Sequence, residues 1–141
     1  MGNNERAARN VATMIKEHTR AKTELMQAVN HLKNHDEAAA VKSLAEVRNA
    51  LIAHVGREKR ALDEVAEKSL EFKVIHAASQ ASLEKMLTMA VKFFKDVANG
   101  DLRGKEMEVQ LTALSMALIT RIAEEEKAGG VYDKYIKYYV E

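Results

Sequence analysis

Along most of this chain apolar residues recur at intervals of three and four, and each of the four stripes they form carries a histidine, an arginine or a glutamate in line with them. The period is that of an α-helix burying one face. Runs alternating with period two are few and proline is absent, so an all-α chain is expected. The first stripe covers residues 5–32, with Val11, Met14, His18, Leu25 and Leu32 in line; Asn34-His35-Asp36 then breaks it, and Asp36 is placed to cap the second helix. The second covers 37–67, through Val41, Leu44, Leu51, His54, Glu58 and Leu62. Ser69 is the expected cap of the third, over 70–98, with Phe72, His76, Ser79, Leu83 and Phe94. After a glycine-bearing loop at 99–104, the fourth runs over 105–127 with Met107, Leu111, Leu118, Arg121 and Glu125. The tail 131–140 holds all four tyrosines and reads as a short fifth helix closing one end. Long amphipathic helices with short connections predict an antiparallel up-down four-helix bundle with a short C-terminal helix.

The pattern is doubled. His18 is followed one helix later by His54 and, four residues on, Glu58; His76 is followed one helix later by Arg121 and, four residues on, Glu125. Residues four apart share a helix face, so each half reads as a hairpin that brings its inward polar residues to one level. Imidazoles and carboxylates meeting inside a bundle are the ingredients of a metal centre, because facing helices hold ligands rigidly.

Length bounds the rest. A chain of 141 residues is expected to form a single domain, 1–141, burying roughly 70% of its unfolded surface. Without cysteine there is neither a disulfide framework nor a thiolate ligand. The 22 basic and 21 acidic residues are intermixed, with a net charge of +1, which disfavours nucleic-acid binding. Apolar runs are short and the first ten residues lack an apolar signal core, so no membrane association and a cytoplasmic location are expected. The seven methionines read as core filling.

From about residue 11 to about residue 127, the order His18, His54-x3-Glu58, His76, Arg121-x3-Glu125 resembles the hemerythrin-like (HHE cation-binding) family in its His, His-x3-Glu, His, His-x3-Glu form. The resemblance implies a four-helix bundle that binds non-haem iron, with dioxygen or nitric oxide as ligands to be carried or sensed. It implies His18, His54, Glu58, His76 and Glu125 as metal ligands, for one or two iron ions or for zinc. Two positions depart from the pattern: Arg121 replaces a ligand histidine, and Gln80 stands where oxygen carriers have another. A guanidinium stays protonated and has no lone pair to offer. If it points inward it is expected to pair with Glu58 or Glu125, in place of a metal ion. The first expectation is therefore a metal-binding protein with a sensing or storage role, more a binder than an enzyme. The alternative is a metal-free helical module regulating a protein partner in transcription or signalling. The bland reading of each histidine is a satisfied core residue, and of each glutamate a solvated helix-end charge.

Overall fold

A computed structural model describes the chain from residue 2 to residue 140, and its side chains from Glu5 onward. Those residues form α1 (Gly2–Lys33), α2 (Glu37–Lys68), α3 (Leu70–Ala98), α4 (Gly104–Glu126) and the short α5 (Val131–Tyr138), with no strand among them. The first four pack as an up-down bundle. Among the described residues no helix is long and apolar enough to cross a membrane.

The connections are explained by their residues. Between α1 and α2 the chain reverses within Asn34-His35-Asp36: His35 takes the left-handed conformation (φ 61°), and the Asp36 N–H reaches back to the His31 carbonyl at 2.8 Å. Asp36 then caps α2 by accepting from the Ala39 N–H at 3.1 Å. Between α2 and α3 there is one residue. Ser69 ends the first helix with its N–H on the Val65 carbonyl and starts the second by accepting from the Phe72 N–H, at 3.2 Å.

The core lies in two apolar blocks. One gathers Leu25, Leu32, Leu44, Leu51, Phe93 and Leu111 among others toward the α1–α2 turn; the other gathers Val11, Met14, Leu62, Phe72, Tyr132 and Tyr135 toward the Ser69 turn. The interruptions in the stripes fall between these blocks. His18 separates Met14 from Ala21, and His54 with Glu58 separates Leu51 from Leu62, so the buried polar residues form a layer across the bundle.

Three expectations about the core need correction. Val41 is 39% exposed, and Ala40 takes the inward place. Phe93 is buried, with the expected Phe94 packed partly buried against it. Met14 and Met107 fill the core, but Met26, Met89 and Met116 face outward. On a helix surrounded on three sides a stripe is wider than one row, so the best-buried residue can shift by one position.

The fifth helix is placed by Gly130. A Cβ there would stand 2.6 Å from the Glu124 carbonyl oxygen and 2.9 Å from those of Glu125 and Lys127. This close approach to backbone lets the chain fold back and drive Tyr132 and Tyr135 into the bundle, where Tyr135 accepts from Asn10 at 2.8 Å. Gly130→Ala is expected to destabilise the protein by about 1–3 kcal/mol, the usual cost of overpacking, read as a lowered midpoint in urea. An unchanged midpoint would mean that α5 does not depend on this contact.

Candidate functional site

The polar layer is built by α1, α2, α4 and α5. His18 and His54 face each other across the α1–α2 hairpin with their Nε2 atoms 2.9 Å apart. Each ring is fixed from behind: His18 Nδ1 donates to Glu126 at 2.6 Å, and His54 Nδ1 donates to Glu17 at 3.1 Å. Arg57 in turn holds Glu17 at 3.0 Å. Around the paired Nε2 atoms stand Glu125 Oε1, 3.4 Å from His18, and Glu58 Oε2, 3.6 Å from His54. The Tyr132 hydroxyl donates to Glu58 Oε1 at 3.1 Å and also lies 3.1 Å from His18 Nε2. His18, His54, Glu58, Glu125 and Tyr132 are all buried.

The protonation of this cluster is constrained by its geometry. A carboxylate only accepts, so each Nδ1 carries the hydrogen and a neutral ring is left with a bare lone pair on Nε2. Two lone pairs 2.9 Å apart repel each other. A cation therefore has to sit between them, either a proton on one ring or a metal ion. Burial works against charge on His54, but the hydrogen bond and negative charge of Glu58, with the hydrogen bond to Glu17, outweigh burial and the charge of His18 and raise its pKa.

Glu58 and Glu125 act on each other strongly enough inside the layer that only one of them is ionised. For Glu58, burial is overcome by the hydrogen bonds of His54 and Glu125 and by the nearby imidazoles, and its pKa falls to about 2. For Glu125, burial and the hydrogen bond and charge of Glu58 act together, and Arg121 and His54 only partly offset them, so its pKa rises to about 9. Glu125 is thus the member that keeps its proton, and Glu58 the ionised one. The Tyr132 hydroxyl is pushed far up by burial and by the two glutamates and stays protonated.

The remaining sequence candidates stand at the margin of this layer. His76 is buried, but its Nε2 bonds Asp63 at 2.7 Å, its ring stacks on Phe72, and it lines a separate cleft with Lys68 and Lys73. No hydrogen bond joins it to His18, His54, Glu58 or Glu125 among the described residues, and its Nδ1 is buried without a partner. His18 and His54 thus meet directly, and His76 is not hydrogen-bonded to them. Arg121 does point inward. Its Nη2 lies 3.4 Å from Glu125 Oε2, as the sequence leads one to expect, but its shorter bonds are to Ser79, at 2.9 Å to the carbonyl and 2.7 Å to Oγ.

Sequence reasoning misses Tyr132, Glu17 and Glu126. Glu17 and Glu126 each adjoin a candidate ligand in the chain, and their side chains are still 23% and 25% exposed, which is how carboxylates that orient a histidine from outside are placed. Tyr132 reads from the sequence as part of the end cap. With Tyr135, Ile136 and Tyr139 it forms a stripe at helical spacing, and that spacing is its signal.

Among the described residues no group of three or more His, Asp or Glu side chains is arranged to hold a metal ion as it stands. The donors nevertheless suit one chemically. Ligands around a tetrahedral ion at 2.0–2.1 Å stand about 3.3 Å from one another, and the separations of 2.9, 3.4 and 3.6 Å bracket that spacing. Hydrogen bonds join His18 to His54 and Tyr132 to Glu58. No family model matches the chain, no curated protein matches its sequence and no solved structure matches it. The hemerythrin-like reading therefore rests on this chain's own residues.

Proposed function

We propose that this bundle is a hemerythrin-like binder of a divalent metal ion, iron or zinc, in a sensing or storage role. The observation that carries the reading is the pair of Nε2 atoms 2.9 Å apart, each with its Nδ1 committed to a carboxylate. That is how metal-binding histidines are held: the outer hydrogen bond fixes tautomer and orientation and makes the inward nitrogen more basic. His18, His54, Glu58 and Glu125 would hold the ion, with Tyr132 beside them. Two imidazoles and two carboxylates without sulfur suit iron or zinc better than copper(I). The ion would supply Lewis acidity and, if iron, affinity for dioxygen or nitric oxide. Arg121 closes the level where the repeat would have another histidine, which favours a single ion over a pair.

The second reading, a metal-free module that binds a protein partner, is favoured by the proton that Glu125 keeps and by the Arg121 contact, which ease the charge of the layer without a metal. Reconstitution separates the two. Protein loaded with ferrous iron under anaerobic conditions, or with Zn²⁺, is expected to retain one ion per chain after gel filtration. At a free ion concentration of 100 times Kd, binding is expected to stabilise the fold by about 2.7 kcal/mol. Elemental analysis that finds no stoichiometric metal in either preparation leaves the metal-free module.

A further inference from the structure

A cavity of about 840 Å³ lies between α3, α4 and the start of α5, behind Glu125. Its size is that of a small-molecule site, and its wall has two chemistries. Ile75, Met86 and Met89 give one apolar side, and Lys85, Arg121 and Lys134 give a basic one. Glu124 and Glu125 line it too, the first paired with Lys127 at 2.7 Å and the second 3.4 Å from Arg121. Lys85 and Lys134 have no ionic partner among the described residues.

Arg121 is the unusual member. Its side chain is only 12% exposed, yet its bonds to Ser79 and the long contact to Glu125 leave the Nε–H and one Nη1–H without an acceptor. A guanidinium largely removed from water and incompletely paired is costly. The Nε–H is enclosed, so a ligand would reach the guanidinium through the second Nη1–H, from which a carboxylate can accept. The hydrocarbon part of such a ligand would cover the outward-facing Met89, which is 41% exposed.

We propose that this cavity binds a small amphipathic carboxylate, its head group on Arg121 and Lys134 and its hydrocarbon chain against Ile75, Met86 and Met89. The site adjoins the histidine cluster through Arg121 and Glu125, and binding there does not require a metal ion. Its test therefore uses metal-free full-length protein, so that its failure leaves the metal reading untouched.

The probe is octanoate, titrated into the chain by calorimetry and followed by backbone amide NMR. Saturable one-to-one binding is expected, with the largest shifts at Ser79, Arg121 and Lys134. Octanol, with the same tail and no charge, is expected to bind at least about ten-fold more weakly, as for the loss of a charge-assisted hydrogen bond. Arg121→Gln and Lys134→Ala are each expected to weaken octanoate by about ten-fold. Lys134→Ala changes a half-buried surface residue, so the test stands even if Arg121→Gln fails to fold. Octanoate shifts that do not saturate, octanol binding as tightly as octanoate, or a Lys134→Ala variant of unchanged affinity would each overturn the proposal.

Discussion

His54→Ala is expected to cost the metal-free protein about 3 kcal/mol and to abolish stoichiometric metal binding. The side chain is the hub of the polar layer, in contact with His18, Glu17 and Glu58. Truncating it leaves Glu58, one of the least exposed side chains in the molecule, without its imidazole partner. Breaking a buried charge pair on one side costs about 3–5 kcal/mol. The lower end applies because Tyr132 and Glu125 still hydrogen-bond the remaining carboxylate. For a chain of this length the loss corresponds to a fall in Tm of roughly 10 °C.

His76→Ala is the contrasting variant. Its hydrogen-bond partner is Asp63, whose side chain is 40% exposed and can turn to water, so the variant is expected to keep its metal. If His76→Ala loses metal as completely as His54→Ala does, the two-histidine layer is wrong and the fuller sequence-derived ligand set is right.

The contrast between these histidines shows where the sequence is legible. Helix extents, the Asp36 and Ser69 caps and the interruption of each stripe can all be read, because local periodicity and capping chemistry determine them. The level at which two helices face each other depends instead on where the chain turns. His18 lies 17 residues before His35 and His54 lies 19 after it, so the first hairpin brings them together. Around Ser69, Asp63 lies six residues before and His76 seven after, and those two bond; Glu58, 11 before, comes level with the region of Ser79, 10 after. The apparent repeat therefore holds in the four-residue step from His54 to Glu58 and from Arg121 to Glu125 but not in level, and Ser79 meets Arg121. Counting outward from the Ser69 cap reveals this offset. The approach of Tyr132 cannot be counted in the same way, because it depends on the three carbonyls that crowd Gly130.

Metal-free protein is expected to lose stability from about pH 4.5 to about pH 9, while its affinity for metal rises over the same interval. The first slope comes from Glu125. In the unfolded chain this group releases its proton near 4.5, but in the fold it holds it to about 9. Between those values the folded state binds more protons than the unfolded state, so stability falls as pH rises. His54 adds to the slope: its raised pKa contributes stability that is complete below 6.5 and is lost as pH climbs through the folded value. Glu58 acts at the other end, contributing stability above 4.5 that disappears as pH falls toward about 2. Maximum stability is therefore expected near pH ~4.5, with a decline on the order of a few kcal/mol by about pH 9. Glu125→Gln, which keeps a neutral hydrogen-bonding group, should flatten most of the decline and leave only the His54 part. Metal binding follows the opposite slope because the ion displaces the proton that Glu125 keeps. Thermal melts of the metal-free protein that are level across this interval, or a Glu125→Gln variant whose decline matches the parent, would show that Glu125 does not keep its proton in the fold.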